Sequence, residues 1–577
     1  MTLIAGILNR KGHALADSVC RELAQSVSRH PGDEIETIRK PNAFFAKLDI
    51  GAFGSNGAIQ TSDAVSLLTG EPLLESTSNR HADLKLLHQG LAKDNYDRLR
   101  EANGTFTLVH YQHEASSLSL IADKCAIRPL YFWINDELIV FASALRILEA
   151  CPLVPKKMDL RGVTEIVALG STLNGRTPYV GVCRMTPGQM VTISKDNVID
   201  ETYWRWDQVR TSPEPEANRL EAVHDAFQKA VECRLGDDRS TSAFLSGGLD
   251  SRLVVASLRE RGTEVHSVNF ALSGTQDQCL GDEFAKQVGS IHQSIPREAG
   301  DSVPDYSSLM ADVLKQTNIN CERPGVAWSG EGGSVMLGLV HVTTQMIEAM
   351  RQGRIDSVVD EFVQTEATQV PSKLFRPRVL DDAMEIVRRG VREELTRFQA
   401  DDPGRSVCLF LLNNDQSQKL NGHFENLDLH RLELQLPFFD GALLQTILAT
   451  NADLLLQHKF YGKLLPWFGP VVTSVAWQSY PGHEPCPLPI PAELTYQWNE
   501  DYQAREHAAK RKRMVERASR LLRGVDFPGQ ILDKRKLRVA AWIHSTGWRD
   551  YQYAIEAAET YSRYSAVCGG EFSLSLS

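Results

Sequence analysis

Thr241-Ser-Ala-Phe-Leu245 followed by Ser246-Gly-Gly-Leu-Asp-Ser251 decides how the second half of this chain folds. The short apolar run reads as a buried strand, and a helix pattern begins at Arg252. A second strand follows at Glu264–Phe270, with Val265 and Val268 in it. Strand, glycine turn, helix, strand is the opening of a doubly wound α/β sheet, in which ligands sit at the carboxyl ends of the strands. Two glycines let the backbone turn tightly, so that N–H groups and the positive end of the helix converge on a phosphate. The hydroxyls of Ser246 and Ser251 add donors. Ser246, Gly247, Gly248, Leu249, Asp250 and Ser251 are therefore the candidate nucleotide-binding residues, with Asp250 as ligand of the Mg²⁺ that a polyphosphate carries. The plain alternative is a strand-to-helix turn with a serine cap.

Working outward, residues 1 to about 205 read as β-rich. Apolar alternations bounded by turn residues occur at Leu3–Leu8, Gly104–Tyr111, Leu118–Ala122, Leu138–Ala142 and Met190–Ile193. Thr211-Ser-Pro-Glu-Pro-Glu-Ala217 has no periodicity and reads as a linker. A helix is expected from about Asn218 to Cys233, and helical patterns dominate beyond the α/β core, interrupted by the proline-rich stretch Tyr480–Pro491. Three regions are expected: 1–208, 218–495 and a helical extension 496–577.

The 577 residues hold 62 Lys and Arg against 73 Asp and Glu, a formal charge of −11. This acidity argues against a general nucleic-acid binder, which needs a positive field along the phosphate backbone. The ten cysteines contain no CxxC pair, so neither a zinc ribbon nor a disulfide framework is expected. No stretch approaches the ~18 apolar residues of a membrane span. These features describe a cytoplasmic protein without a membrane or nucleic-acid partner.

The loop Ser246–Ser251 resembles the pyrophosphatase-type nucleotide loop (PP-loop) of the asparagine synthetase superfamily. Further stretches are similar to blocks of the same family. Glu433-Leu-Gln-Leu-Pro-Phe-Phe-Asp440 resembles E-x-R-x-P-F-L-D, with Gln435 in place of arginine, and Ser329-Gly-Glu-Gly-Gly-Ser334 resembles S-G-E-G-x-D, with Ser334 where an aspartate normally binds Mg²⁺. Lys459, in His458-Lys-Phe-Tyr-Gly-Lys463, matches the lysine that the family places against the phosphates. The resemblance implies an enzyme that uses ATP and Mg²⁺ to adenylate a carboxylate, releasing pyrophosphate, after which an amine takes the acyl group. It implies Gly330 beside the nucleotide, Lys459 on the developing charge and Glu331 as base toward the amine. Glu425, in Gly422-His-Phe-Glu-Asn-Leu-Asp428, is a candidate to support that base, with a surface carboxylate as the alternative. Glu331 or the pair Asp282-Glu283 is expected to compensate for the aspartate missing at 334. Asp440 and Pro437 are expected to shape the core.

The first region resembles the family's glutamine amidotransferase domain, a fold of the N-terminal-nucleophile hydrolase type with two sheets between helices (αββα). Asp123-Lys-Cys-Ala-Ile-Arg-Pro-Leu-Tyr-Phe132 resembles D-x-x-G-x-R-P-L-Y-Y, and Phe141-Ala-Ser-Ala-Leu-Arg146 resembles F-A-S-E-x-K. Working amidotransferases have cysteine at position 2, where this chain has Thr2. The domain is therefore expected to be degenerate, with the amine supplied by the substrate itself. Superfamily members lacking the cysteine include β-lactam synthetases and the macrolactam synthetases of lasso peptides. The chain is most similar to the latter, in view of Arg252, the phrase His423–Asp440 and the tail from about 500, and β-lactam synthetases typically carry tyrosine where this chain has Glu331. This implies ring closure between a side-chain carboxylate of a precursor core peptide and its N-terminal amine, with a leader peptidase and a leader-binding protein as partners. A ligase acting on a small molecule, of β-lactam or asparagine synthetase type, is the alternative, and a non-catalytic scaffold is a third reading. The basic segment Lys510–Arg523 reads as a solvated helix face or as a docking surface for an acidic peptide or partner enzyme. His483 and Cys486 read as part of a rigid proline turn rather than as metal ligands.

Overall fold

The computed structural model describes residues 2–74, 79–297, 305–316, 321–377, 379–380, 382–496, 500–524 and 527–574. Its first part contains two antiparallel six-stranded sheets. One runs in the order Val182–Arg184, Tyr131–Ile134, Leu138–Ala142, Thr2–Asn9, Ala43–Asp49, Glu36–Arg39; the other runs Val198–Thr202, Gln189–Ile193, Ser117–Ala122, Phe106–Gln112, Ala64–Gly70, Ala58–Gln60. Alternation along each strand decides which sheet face a residue joins. Ile4, Leu8 and Phe45 meet Val65, Val109 and Leu120 between the sheets. Leu3, Ala5 and Ile7 of the same strand face the other way, toward Cys20, Leu23 and Val27 of helix Asp17–Val27. On the outer face of the second sheet, Leu68, Phe106 and Leu108 pack on Leu84, Leu87 and Leu91 of helix Arg80–Leu91. The result is the expected αββα sandwich.

The second part is built on a parallel five-stranded sheet in the order Ile291–Ser294, Glu264–Asn269, Ser240–Phe244, Val326–Trp328, Glu433–Gln435. The strand Ser240–Phe244 is central. The chain leaves it first toward Glu264–Asn269 on one side, and Val326–Trp328 pairs on the other. Its carboxyl end is thus the topological switch point, where the crossovers diverge and leave a crevice. The loop Ser246–Ser251 begins there and feeds helix Asp250–Glu260.

Helices make up most of the remaining described residues. Three of them, Glu500–Arg523, Lys534–Thr546 and Gln552–Val567, form a C-terminal bundle. Its end returns to the first part: Phe572–Ser573 pairs with Met158–Asp159, and the Tyr561 hydroxyl meets that of Thr164 at 2.6 Å. Among the described residues, no helix is long and apolar enough to cross a membrane.

A buried ion pair and a partly buried hydrogen bond join the two parts. The Arg128 guanidinium donates to Glu433 at 2.9 Å, both side chains being buried, and lies 4.4 Å over the Phe424 ring. Tyr131 donates its hydroxyl to Glu425 Oε1 at 2.6 Å. Within the second part, Asp440 accepts from Arg234 at 2.8 Å and caps helix Gly441–Leu448 through the N–H groups of Ala442 and Leu443.

Candidate functional site

The glycine loop is held by its own side chains. Ser251 Oγ accepts the Ser246 N–H at 2.9 Å and lies 3.0 Å from Ser246 Oγ, which in turn accepts the Gly248 N–H at 3.2 Å. The helix that follows has Leu249 at its N-cap position and no side-chain cap, so the serines shape the loop rather than close the helix. The Gly247 N–H donates to Asp277 Oδ1 at 2.8 Å. Asp277 sits in the first turn of helix Gln276–Val288, and a Cβ at 247 would lie 2.8 Å from its Cα, which is why glycine is required there. Burial pushes the Asp277 carboxyl above its ordinary range, and the Gly247 N–H offsets this in part.

Asp250 is the centre of the site. Its carboxylate accepts three hydrogen bonds of 2.8 Å, from the Ser334 N–H, the Ser334 hydroxyl and the Tyr461 hydroxyl. Gly333 makes the first two reachable, since a Cβ there would lie 2.5 Å from Asp250 Cγ. Desolvation raises the Asp250 carboxyl to about 6, against the pull of those bonds. Ser334 thus serves Asp250 as a donor instead of adding a carboxylate of its own.

Two cavities meet along this wall. The larger, about 850 Å³, is lined by Ser246, Gly248, Leu249, Asp250, Asp277, Glu331, Lys459, Tyr480 and others. The second, about 570 Å³, shares Ser246, Asp250, Asp277, Glu331, Ser334 and Tyr480, and adds Ser251, Gly330, Phe270, Arg297, Tyr306 and Lys419. Glu331 faces both, with Lys419 Nζ at 3.6 Å from its Oε2. A third cavity of about 800 Å³, bordered by Arg184, Trp204 and Arg397, contains none of the candidate residues.

The exposed Lys459 opens helix Lys459–Leu464 directly after two residues in the left-handed region, Gln457 (φ 57°) and His458 (φ 62°). Such backbone is strained for residues other than glycine and persists only where neighbours hold it. Here they do: the His458 ring stacks between Tyr461 and Tyr480, with both ring pairs 5.7 Å apart, and its Nδ1 meets Nδ1 of His483 at 2.7 Å. Burial, with His483 beside it, lowers His458 to about 4, so this contact is between neutral rings. The proline-rich stretch is thereby tied to the corner that presents Lys459, helped by the Glu484 N–H to Gln457 O at 3.0 Å. Arg252 secures the segment before it. Fully buried, it donates to the carbonyls of Val472, Val475 and Ala476, and desolvation lowers it to about 10.

The structure therefore brings Ser246, Gly248, Leu249, Asp250, Ser251, Gly330, Glu331 and Lys459 around one bilobed space, with Gly247 as its backbone support. Glu425 is a correction. It lies in neither cavity's wall and instead binds Tyr131 and the Leu145 N–H, because the short helices at 421–430 turn its carboxylate toward the first part. Asp282 and Glu283 are also turned away: Asp282 holds His292 at 3.0 Å and Glu283 pairs with Lys286 along the helix. Asp277, which lies in no motif, joins Asp250 and Glu331 in the walls of both cavities. Nor does the sequence single out Tyr461, Tyr480 and His458, whose roles depend on contacts across the fold. The side chain of Thr2 lies outside the described residues, and its backbone pairs with Asp49 at the start of the first strand.

Residues 73–204 match the glutamine amidotransferase domain family, and residues 222–320 match asparagine synthase. The chain is 26% identical over 231 residues to asparagine synthetase [glutamine-hydrolyzing] 3 of Bacillus subtilis (strain 168), covering 39% of this chain and 36% of that protein. It is 24% identical over 298 residues to putative asparagine synthetase [glutamine-hydrolyzing] 2 of Methanocaldococcus jannaschii, covering 48% of this chain and 57% of the relative. The two parts of this chain are thus similar to the two domain families that glutamine-hydrolysing asparagine synthetases represent. The matches span between about a third and somewhat over half of those relatives' lengths. Among solved structures, a glutamine phosphoribosylpyrophosphate amidotransferase from B. subtilis, complexed with ADP and GMP, is similar at 12% identity and a TM-score of 0.26, over 51% of this chain and 90% of that one. The two family matches end at residues 204 and 320, before Glu331 and Lys459.

Proposed function

We propose that this protein is an ATP-dependent ligase that forms a carbon–nitrogen bond within a precursor peptide. The observation that carries the reading is the convergence of the Ser246–Ser251 loop, Asp250, Glu331 and Lys459 on one bilobed cavity. Five carboxylates, Asp250, Asp277, Asp305, Glu331 and Glu484, line its two lobes, and a bare polyphosphate would be repelled by them. A polyphosphate carrying Mg²⁺ is attracted, and Asp250, desolvated and ionised above about pH 6, is the residue to hold the metal. Bound there, Mg²⁺ supplies charge neutralisation on the phosphates.

The chemistry is a two-step acyl transfer. A side-chain carboxylate oxygen of the substrate attacks the α-phosphorus of ATP, and pyrophosphate leaves into the glycine loop and toward Lys459. The acyl-adenylate carbonyl is then attacked by the peptide's own N-terminal amine, AMP departs, and Glu331 takes the proton the amine loses. The amine comes from the peptide because Thr2 replaces the cysteine that would release ammonia from glutamine. The two lobes leave room for a nucleotide and a larger acyl donor together.

Pyrophosphate release from ATP and Mg²⁺ tests this, with glutamine, ammonia, β-amino acids and a leader-free core peptide offered separately and product masses followed. Release with a peptide lighter by one water supports macrolactam closure. Turnover only with ammonia or a small acid moves the protein to the small-molecule ligases, and no release with any substrate refutes the enzyme reading.

A further inference from the structure

Residues 510–550 contain twelve Lys and Arg against four Asp and Glu, in a chain whose total charge is −11. The structure gives this segment a definite face. Helix Lys534–Thr546 buries Leu537, Ala541 and His544 against the helices that flank it, Glu500–Arg523 and Gln552–Val567. Its outward stripe, at helical spacing, is Arg535, Arg538, Val539 and Trp542. Gly547, in the left-handed region at φ 75°, ends the helix and is followed by Trp548 and Arg549. Arg511 of the preceding helix reaches this turn, its Nη1 lying 2.7 Å from where a Gly547 Cβ would be.

Trp542 is 67% exposed and Trp548 84%, more than any other large apolar side chain among the described residues, and Val539 between the cations is 54% exposed. Exposing two indoles forgoes their burial energy, and a soluble surface concentrates them where something else covers them. The nearby acids are already engaged. Asp533 caps the helix through the N–H groups of Arg535 and Lys536, and Asp550 holds His544 and the Gln552 N–H. Among the described residues, Arg535 and Arg538 form no ion pair with a carboxylate, so their charge faces outward uncompensated.

We propose that this stripe docks an acidic segment of a separate polypeptide, with an apolar side chain of that segment seated on Trp542 and Trp548 and its carboxylates on Arg535, Arg538 and Arg549. Tryptophan and arginine are the residue types that dominate binding at the centre of protein interfaces, and rim cations speed the encounter. A bilayer is a poorer match to this pattern. A membrane-surface helix separates its apolar face from its charged one, whereas here cations and tryptophan share one stripe and the apolar face is already inside the protein. The inference is independent of the ligase chemistry and of the cavity residues.

The test uses the full chain without ATP. A fluorescein-labelled twelve-residue peptide of alternating Glu and Leu is titrated by anisotropy at 50 and 300 mM salt, beside a Lys/Leu peptide, a 20-nucleotide single-stranded DNA and vesicles of phosphatidylglycerol. The Glu/Leu peptide is expected to bind, to weaken at least fivefold at the higher salt, and to weaken tenfold or more in Trp542→Ala/Trp548→Ala and in Arg535→Glu/Arg538→Glu. All four positions are on the surface, and unchanged circular dichroism and melting temperature establish that the variants fold. Equal binding of the Lys/Leu peptide, or binding unaffected by both double variants, overturns the proposal. Tighter binding of DNA or vesicles than of the acidic peptide also overturns it, as does self-association in sedimentation that the double variants abolish. Pyrophosphate release by the same variants stays at the parent level for any substrate that does not need the stripe, so failure here is distinguishable from failure of the ligase reading.

Discussion

The two parts of this chain carry motif residues similar to those of one superfamily and use them in opposite ways. In the first, Arg128 and Tyr131 of the D-x-x-x-x-R-P-L-Y block turn outward from the sandwich to Glu433 and Glu425, closing buried bonds to the second part. In the second, Ser246–Ser251, Glu331 and Lys459 turn toward open space. Neighbouring carboxylates there are left partly desolvated, with Asp250 raised to about 6. A motif absorbed into an interface contributes stability, whereas one left around a cavity tolerates unfavourable electrostatics that a ligand relieves. Family likeness alone therefore does not say which part holds a working site.

Substitutions can break this contrast. Asp250→Ala has the largest expected effect, a loss of pyrophosphate release of roughly a hundredfold or more, since several kcal/mol of charge stabilisation go with the metal ligand. Melting temperature should hold or rise, because a buried carboxylate is removed; near-parent turnover would end the metal assignment. Arg128→Ala should do the reverse. Taking the guanidinium from the buried Glu433 costs about 3–5 kcal/mol of stability by denaturant unfolding, while activity per folded molecule is kept. If activity falls and stability does not, the first part is more than a structural joint.

The pH dependence sharpens the same point. Asp250 titrates near 3.8 when unfolded and near 6 in the fold, so between these values the folded state holds the extra proton. Acidification from pH 7 to 5 should therefore stabilise the ligand-free protein relative to Asp250→Asn. Turnover should meanwhile fall by about tenfold per pH unit below 6, one proton being taken up. Raising Mg²⁺ should move the activity midpoint down, because metal and proton compete for one carboxylate. A midpoint that ignores Mg²⁺ assigns the limb to another group. The smallest effect belongs to Thr2→Ala, which should leave pyrophosphate release and product mass unchanged; any loss would return a chemical role to the first part.

Much of the site was legible before the fold was known because it is local. Ser246 to Ser251 are contiguous, and a strand before and a helix after dictate what their backbone does. The strands at Leu138–Ala142 and Ser117–Ala122 were readable from alternation. Those at Ala43–Asp49 and Ala64–Gly70 were not singled out, since burial on both faces removes the period-two signal. Glu425 shows the converse failure: a carboxylate in a family-like phrase carries no information about the direction it faces.

The sequence by itself determined the glycine turn at Ser246–Ser251, the two-part organisation of its β-rich and α/β patterns, the absence of cysteine at position 2 and the positive charge of the tail. Tertiary structure alone decided that Ser334 serves Asp250 as a donor, that Asp277 joins the cavity, and that His458 and His483 hold the corner before Lys459. It also decided that Trp542 and Trp548 face solvent. The physical reason is range. Turn geometry and alternation are set by neighbours along the chain, while desolvation, hydrogen-bond partnership and exposure are set by residues brought together from tens or hundreds of positions away.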